Sequence, residues 1–361
     1  MTKKILISLI ILVGLSVGGF FIYKNISAPE AGVPKVEEET PVVEERSEEE
    51  EEVSEDKVEK QAEEQAVLPE EGEDQGVKFF HFEKLTGEEL KADVKWTSEG
   101  LNVAGDFVDH EVFQLPNGSY AMHLGSLGKV AYSSDGLMWT ISEDSAIGEG
   151  SSILKLPTGG YRAWWSVPKG AEVFDMMTAF SSDGYNWGKA TMLTSSNMED
   201  FYGALPAVVI SLDGTYRMYY TRTGPDTFIK SDMPGVELFI KRIYSAHSSD
   251  GLFWEPDPGI RIDGGEEADK GHSSSNDVYI RKDGKYEMVY CSGVAGIGIA
   301  VSDDGLNWTR LGSTGIDGGD PVVNVFPDGS VRMYYGFGPK KDGEVVSDKS
   351  PGVYSAVRES I

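Results

Sequence analysis

From about residue 77 onward, apolar and polar residues alternate along the chain with a period of two. In the clearest segment, Tyr216, Met218 and Tyr220 alternate with Arg217 and Tyr219. Such alternation predicts half-buried β-strands, because successive side chains of a strand point to opposite faces of the sheet. The pattern does not have the 3.6-residue period of a helix, so we expect this part of the chain to be all-β.

Two short units recur in a fixed order within this part. The first, Ser-x-Asp-Gly-x-x-Trp, occupies residues 133–139, 181–187, 248–254 and 302–308, with Asp in place of the second Ser in the last copy. The second is a turn followed by an aromatic strand, and it begins at residues 116, 157, 212, 282 and 327. Each repeat therefore offers four antiparallel strands joined by tight turns. Five such repeats predict a five-bladed β-propeller over residues 77–361.

The repeats also predict how the ring is closed. Residues 353–361 match only a third strand, so the last blade lacks its own Ser-x-Asp-Gly-x-x-Trp unit. Residues 93–97, with the sequence DVKWT, resemble the ends of the other four units. We therefore expect Trp96 to take the fifth tryptophan position and to join the two ends of the domain, which leaves few open strand edges.

The N-terminal segment is different in character. Residues 5–23 carry no charge and follow Lys3 and Lys4. A run of this length can cross a bilayer, and the preceding lysines favour a cytoplasmic N-terminus. Residues 1–28 are therefore predicted to be a transmembrane anchor, which would place the propeller on the extracytoplasmic side of the cell membrane. A cleavable signal peptide is the alternative, and it would also export the propeller.

Residues 29–76 form a Glu-rich segment that is predicted to be a disordered linker. Residues 30–76 hold 20 Asp and Glu against 4 Lys and Arg, which is too polar to bury a core. The formal charge of the whole chain is −28, so nucleic acid is excluded as a partner because its phosphates would be repelled. A single Cys excludes both an intrachain disulfide framework and a zinc site built from cysteines.

Candidate functional residues are those that differ between blades at one end of the predicted channel. Counting back eight residues from each turn gives five equivalent positions at the starts of the channel-lining strands, namely Asp109, Gly150, Leu205, Ser275 and Asp320. Unrepeated polar residues cluster near these positions. Our candidate catalytic residues are Asp109, Glu149, Asp200 and Asp277, and our candidate substrate-binding residues are His110, Tyr202, Arg222, His272, Asn276 and Asp320. The alternative is that these side chains form the solvated rim of an acidic protein.

The units GDPVVNVFPDGSVRMYYGF at Gly319–Phe337 and YSSDGLMW in the first repeat resemble the five-bladed propeller glycoside hydrolases of the arabinanase, xylosidase and invertase-like superfamily. The resemblance covers roughly residues 93–361. It implies a base or nucleophile at the Asp that begins the first inner strand, which Asp109 matches. It also implies an acid Glu from a middle blade and a further Asp that tunes its pKa. Glu149, Glu199 and Asp200 compete for the acid role, and Asp277 is a further candidate.

We therefore expect a membrane-tethered glycoside hydrolase-like propeller that acts on or binds poly- or oligosaccharide at the channel mouth. Cleavage of a glycosidic bond needs two carboxylates that flank it, one of which must be held protonated. The alternative is a non-catalytic propeller that binds carbohydrate or protein, because the invertase-like Arg-Asp-Pro and Glu-Cys motifs are absent. The sequence predicts no metal site and no cofactor, and leaves open whether a cation lies in the channel.

Overall fold

A computed structural model of the chain describes residues 95–358, apart from 106–108, 171–172, 231–236, 266–268, 270, 294–295, 327–328, 338–339, 342–343 and 346–349. Before residue 95 it describes only a pair of two-residue strands, β1 (Leu15–Ser16) and β2 (Gly19–Phe20). The rest of the predicted anchor and the whole of the predicted linker lie outside the described residues. In the described part of the chain, no helix is long and apolar enough to cross a membrane.

The repeats fold into five antiparallel sheets, which we call blades I to V. Blade I consists of β4 (His110–Gln114), β5 (Tyr120–Leu124), β6 (Lys129–Ser133) and β7 (Thr140–Asp144), with a 3₁₀ turn at Gly125–Leu127. Blade II consists of β8 (Ser152–Lys155), β9 (Tyr161–Gly170), β10 (Val173–Ser181) and β11 (Thr191–Met192). In both blades each strand pairs with the next one along the chain, as the alternation predicts.

Blade III contains β13 (Ala204–Ile210), β14 (Tyr216–Lys230), β15 (Glu237–Ser248) and β16 (Phe253–Pro256). Two short strands join this sheet: β12 (Thr194–Ser195) runs parallel to β16, and β17 (Ile262–Asp263) pairs with β15. Blade IV contains β18 (Ser273–Ile280), β19 (Tyr286–Ser292), β20 (Gly296–Ser302) and β21 (Thr309–Ser313).

Blade V is assembled from both ends of the domain. Its strand order is β22 (Gly319–Val325), β23 (Val331–Phe337), β26 (Gly352–Arg358) and β3 (Thr97–Ala104), and a small hairpin of β24 (Lys340–Lys341) and β25 (Glu344–Val345) lies between β23 and β26 in the chain. The innermost strands β4, β8, β13, β18 and β22 adjoin one another in that order, and β22 also adjoins β4. The prediction of a closed five-bladed ring is confirmed, and the N-terminal strand β3 completes the last blade.

Trp96 and the four tryptophans of the Ser-x-Asp-Gly-x-x-Trp units lie in the seams between neighbouring blades, as a packing role requires. Each belongs to a hydrophobic cluster that its own blade shares with the preceding blade: Trp96 (IV/V), Trp139 (V/I), Trp187 (I/II), Trp254 (II/III) and Trp308 (III/IV). Trp96 directly precedes β3, in the position that Trp139 and Trp308 hold before β7 and β21. It therefore occupies the fifth tryptophan position.

The Ser-x-Asp-Gly turns fix the outer ends of the blades. In blade I, the N–H of Gly136 donates to Oγ of Ser133 at 2.9 Å, and the N–H groups of the next two residues donate to Oδ1 of Asp135. Tyr334 of blade V then donates its hydroxyl to the carbonyl of Gly136 at 2.9 Å. The same turn geometry recurs in blades II, III and IV, so these Asp residues are structural.

Candidate active site

The start of every innermost strand is a backbone corner in the left-handed region. The five equivalent positions have φ values of 55° at Asp109, 56° at Gly150, 56° at Leu205, 45° at Ser275 and 49° at Asp320. The four that are not glycine are the only non-glycine residues with positive φ in the described part of the chain. This conformation costs roughly 1–2 kcal/mol for a residue with a Cβ, and strain of this kind concentrates at functional sites.

These corners surround a single cavity on the channel axis, with about 350 Å³ of space including its open mouth. Each blade contributes three consecutive residues to the wall: 109–111, 150–152, 205–207, 275–277 and 320–322. The cavity is thus built by the repeat, while the side chains that line it differ from blade to blade. A ligand at this mouth would therefore meet different side chains from each of the five blades.

The wall of the cavity is chemically asymmetric. Blades V and I supply carboxyl groups at their corners, Asp320 and Asp109, and Glu149 precedes the corner of blade II. Blade III, on the opposite side of the ring, presents the apolar Leu205 and Pro206.

Asp109 is a strongly perturbed carboxyl group at the mouth. Its side chain is buried, and Oδ2 has no hydrogen-bond partner. Burial raises the pKa of Asp109 well above its usual value, and the negative charges of Asp320 and Glu149 raise it further, while Lys241 opposes the shift. Asp109 therefore favours the protonated form. Partial desolvation also raises the pKa of Glu149, which lies at the exposed rim.

Several other polar atoms in the cavity wall are buried without a partner in the protein. They are both ring nitrogens of His110, the side-chain amide atoms of Asn276 and the hydroxyl of Ser151. Burial lowers the pKa of His110, although the charge of Asp320 and the nearby backbone carbonyl of Tyr334 oppose this, so the imidazole is neutral. Unpaired buried polar groups are costly, and their concentration in one cavity indicates a place where a polar ligand or water completes the hydrogen bonds.

Asp277 also lies in the cavity wall, but its contacts tie neighbouring blades together. Its Oδ2 accepts the backbone N–H of Val323 in blade V at 2.7 Å, and its Oδ1 accepts the N–H of Val278 at 2.8 Å. Glu111 holds the same position in blade I and accepts the N–H of Ile153 in blade II at 3.0 Å. Burial raises the pKa of Asp277 to about 7 and that of Glu111 well above its usual value, and the charge of Asp277 contributes to the second shift.

A second set of inter-blade bonds positions the corners themselves. The corner N–H of Asp320 donates to Sγ of Cys291 at 3.0 Å, and Sγ also contacts Oδ1 of Asp320 at 3.8 Å. In the same way, Oγ of Ser166 in blade II accepts the N–H of Leu205 in blade III, and Oγ1 of Thr221 in blade III accepts the N–H of Ser275 in blade IV. The buried Cys291 is therefore a positioning residue for Asp320, and burial raises the pKa of its thiol.

Three of the candidate residues do not line the cavity and form a cluster of their own on blade III. The guanidinium of Arg222 lies between the rings of Tyr202 and Tyr244, at 4.2 and 4.8 Å from their centroids. Its Nη1 donates to the carbonyl of Asp200 at 3.0 Å, and its Nη2 lies 3.6 Å from Oδ1 of the same residue. Asp200 itself is exposed. The structure therefore places Asp200, Tyr202 and Arg222 together, but apart from Asp109.

His272 does not line the cavity either. Its Nε2 lies 2.7 Å from Oγ of Ser274, and its backbone forms a parallel bridge with Lys241 of β15. Burial and the charge of Lys241 lower the pKa of His272 to about 3, so this side chain is neutral. From this position His272 joins the start of β18 to β15 and takes no part in the cavity.

Sequence reasoning missed Lys241 and the apolar side of the cavity. Lys241 lies on the third strand of blade III, and its charge reaches Asp109 only because β15 continues past the corner of blade III. No motif marks this position. The eight-residue spacing located Leu205 but did not predict that its side chain covers Gly150. A Cβ added at Gly150 would lie 2.4 Å from Cδ2 of Leu205.

Among the described residues, no group of three or more His, Cys, Asp or Glu side chains is arranged to hold a metal ion.

Comparison with known proteins shows a shared fold. No protein-family model matches the sequence, and no curated protein matches it. An endo-arabinase from Bacteroides thetaiotaomicron superposes with a TM-score of 0.54 at 15% identity, covering 73% of this chain and 98% of that one. An endo-1,4-β-xylanase from the same organism gives a TM-score of 0.50 at 15% identity, with 72% and 99% covered. A family 117 glycoside hydrolase from the marine bacterium Zobellia galactanivorans gives 0.50 at 13%, with 75% and 91% covered. The chain has the five-bladed propeller fold that these glycoside hydrolases share.

Proposed function

We propose that the protein is a glycoside hydrolase in which Asp109 is the general acid and Asp320 is the second carboxylate. One observation supports this most directly: Asp109 and Asp320 share a cavity, and burial together with the charge of Asp320 raises the pKa of the Asp109 carboxyl. Glycoside cleavage requires such a pair, in which one carboxyl group is kept protonated by its surroundings and the other is available as a base or nucleophile.

In this reaction Asp109 transfers its proton to the glycosidic oxygen as the bond from that oxygen to the anomeric carbon breaks. Positive charge develops on the sugar ring, and the carboxylate of Asp320 stabilises it. In one route Asp320 takes a proton from the water that attacks the anomeric carbon, and proton exchange with solvent then restores the protonated Asp109 and the ionised Asp320. In the other route Asp320 bonds to the anomeric carbon, and the ionised Asp109 then takes a proton from a water that displaces Asp320 from that carbon, which restores both groups. The resemblance to the superfamily implies a base or nucleophile at Asp109, but its electrostatic surroundings favour the acid.

The unpartnered polar groups of the wall fit the hydroxyls of a sugar. The neutral His110 can donate through one ring nitrogen and accept through the other, and the amide of Asn276 can do both. A site built to hydrogen-bond substrate hydroxyls discriminates strongly against analogues that lack them. Asp277, a catalytic candidate in the sequence, is assigned instead to holding blades IV and V in register, since both its oxygens accept backbone N–H groups.

The test is hydrolysis of a panel of neutral glycans by the propeller, residues 77–361, and by two variants. Asp109→Asn keeps the shape of the side chain and removes the proton donor. Asp303→Asn is the matched control, because Asp303 is exposed and pairs at 2.8 Å with Lys285, away from the cavity. We expect wild type and Asp303→Asn to release sugar and Asp109→Asn to lose about 10²–10⁴-fold in kcat. Glycan binding without turnover in all three proteins would instead identify a non-catalytic carbohydrate-binding propeller.

We also propose that the propeller is exported and held at the membrane by residues 1–28. The uncharged run 5–23 behind Lys3 and Lys4 supports an anchor, and the acidic segment 29–76 suits a spacer between membrane and domain. Fractionation of cells that express the full chain, followed by protease treatment of intact cells, tests this. Recovery of the propeller in the soluble cytoplasmic fraction would contradict it.

A further inference from the structure

Lys241 lies in β15 of blade III, just beyond the level of the cavity corners. That level is marked by Thr221, because its Oγ1 accepts the corner N–H of Ser275 at 3.2 Å. Thr221 pairs with Ile243 of β15, and Lys241 lies two residues away from Ile243 towards the mouth. At about 3.3 Å per residue, the Cα of Lys241 is therefore about 7 Å above the corners.

The side chain of Lys241 faces the seam between blades III and IV. Residues two apart in a strand share a face, and Ile243 is fully buried in the cluster that these two blades share. The innermost strands form a closed ring in the order I to V, so this seam lies opposite blade I, which carries Asp109. The charge of Lys241 acts on Asp109 and on two buried groups of blade IV, His272 and Cys291. Lys241 thus faces Asp109 across the mouth.

Lys241 has a fixed backbone and an unpaired ammonium group. The backbone pairs with Thr223 on one side, and its N–H donates to the carbonyl of Gly271 at 3.1 Å on the other. The next residue of β15, Arg242, is in an ion pair with Asp263 at 2.7 Å. Among the described residues, no carboxylate lies within ion-pair distance of Lys241, which is half-buried. Its charge is therefore available to the groups of the mouth.

Proton transfer to the substrate creates a negative charge on Asp109. As the bond from the glycosidic oxygen to the anomeric carbon breaks, that oxygen takes the proton and the carboxyl group of Asp109 becomes a carboxylate. The side chain is buried, and the charges of Asp320 and Glu149 act on it. Burial and like charges both disfavour ionisation of a carboxyl group. The proposed reaction therefore needs a compensating positive charge at this place.

The titratable groups around Asp109 leave one candidate for that charge. The groups of the cavity wall and its rim are acidic or neutral, namely Asp320, Glu149, Glu111, Asp277 and His110. The turn Gly125–Leu127, which lies against the backbone of Asp109, has no titratable side chain. Among the described residues, Lys241 is the cation whose charge acts on Asp109.

We propose that Lys241 is a positioning residue of the reaction, which stabilises the carboxylate formed on Asp109 as the proton passes to the glycosidic oxygen. Lys241 keeps its own proton throughout and acts only through its charge. A preformed charge at the place where charge develops lowers the barrier, because the protein need not reorganise during the step. This inference rests on the proposed function of the cavity and deepens it.

The test replaces Lys241 by methionine, which keeps the unbranched apolar stem and removes the charge. Lys169→Met is the matched control, because the side chain of Lys169 is 62% exposed and pairs with Asp175 at 3.1 Å. Lys241→Arg restores the charge. These proteins are compared on two glycosides of a sugar that wild type releases. The alcohol leaving from the alkyl glycoside must be protonated, and the dinitrophenolate leaving from the other need not be.

We expect Lys241→Met to lower kcat on the alkyl glycoside roughly tenfold, because Asp109 becomes a weaker acid, and to leave the dinitrophenyl glycoside unchanged. The loss should be smaller than that of Asp109→Asn, since the acid itself remains. The pH above which kcat/KM falls should move upward, because the pKa of Asp109 rises when the opposing charge is removed. Lys169→Met and Lys241→Arg should resemble wild type.

Two kinetic results would overturn the inference while leaving hydrolysis in place. Equal losses on the two glycosides would show that Lys241 contacts the substrate rather than acting through Asp109. A pH limit that stays in place or moves downward in Lys241→Met would show that its charge does not reach the acid.

A measurement without turnover separates this inference from the proposed function. If wild type cleaves no glycoside, the proposed function fails, but the effect of Lys241 can still be read from Asp109 itself. Carboxyl NMR titration of protein labelled at aspartate gives its midpoint, with the signal assigned by its absence in Asp109→Asn. A midpoint that moves to higher pH in Lys241→Met and not in Lys169→Met supports the inference, and an unchanged midpoint refutes it.

Discussion

Replacing Trp96 by alanine tests how the ring is closed. Trp96 is 8% exposed and lies in a cluster that joins blades IV and V, with Tyr279, Met333 and Tyr354 among its members. The guanidinium of Arg358, at the end of β26, lies over the indole ring with its Cζ 5.2 Å from the centroid. The substitution removes a large side chain from the point where the N-terminal strand meets the rest of the propeller.

The expected magnitude follows from this burial. Truncation of a buried tryptophan to alanine costs about 3–5 kcal/mol. For a domain of this size, each kcal/mol lowers the melting temperature by about 2–4 °C, so we expect a fall of roughly 6–20 °C. Trp96→Phe should recover most of the loss, because the ring packing is largely retained and the indole Nε1 has no hydrogen-bond partner to lose.

Thermal unfolding followed by circular dichroism or calorimetry measures the effect on residues 77–361. Met138→Ala is the control, since Met138 is 78% exposed in an outer turn and its truncation should be almost neutral. If Trp96→Ala melts within about 2 °C of Met138→Ala, a difference typical of surface substitutions, Trp96 does not close the ring and the reasoning is refuted.

Three further predictions concern the seams between blades. Glu287→Ala should destabilise the propeller by about 3–5 kcal/mol in urea titrations. The substitution leaves the buried guanidinium of Arg358, whose Nη1 lies 2.5 Å from Oε1 of the fully buried Glu287, without its carboxylate partner, and a loss no larger than that of the surface variant Asp303→Asn would contradict this. The free energy of unfolding should fall as pH rises from 3.8 towards about 7, because the folded protein retains the Asp277 proton that the unfolded chain releases. The urea midpoint of Asp277→Asn should depend less on pH than that of wild type. A wild-type midpoint that rises across this range would contradict the prediction. Gly150→Ala should lower the melting temperature more than Gly118→Ala. Both glycines have positive φ, but only the added Cβ at Gly150 meets a neighbour, Cδ2 of Leu205 at 2.4 Å. Equal melting temperatures would show that the Leu205 side chain moves aside.

The sequence was sufficient for the ring and for the corners of the cavity. The distance from each turn back to the start of the inner strand is the same in all five blades, so a count of eight residues located Asp109 and Asp320 at equivalent places. The left-handed backbone at these positions was not predicted, because only one of the five is glycine, and Leu205 and Ser275 are not residue types that favour this conformation. Hydrogen bonds to Ser166, Thr221 and Cys291 of the preceding blades hold three of these corners in the strained conformation.

The roles of the remaining candidates depend on contacts between residues far apart in the chain. The assignment of Asp277 changes because its carboxyl accepts the N–H of Val323 from the next blade. Asp200 and Arg222 were grouped with the cavity because they lie near predicted strand starts. In the structure β14 continues beyond the cavity, and Arg222 of this strand donates to the carbonyl of Asp200. No local pattern reports either contact, since each depends on how two blades meet.

The role of Asp109 as the acid is tested most directly by hydrolysis of glycosides that differ only in their leaving group. The dinitrophenolate group of a dinitrophenyl glycoside leaves without being protonated. The alcohol that leaves from an alkyl glycoside or a natural linkage must be protonated as it departs. If Asp109 is the acid, Asp109→Asn should lose about 10²–10⁴-fold in kcat on the substrate with the poor leaving group and little on the activated one, while Asp320→Asn should lose activity on both. Equal loss by Asp109→Asn on both substrates would contradict the account and would assign Asp109 the base or nucleophile role that the resemblance implies.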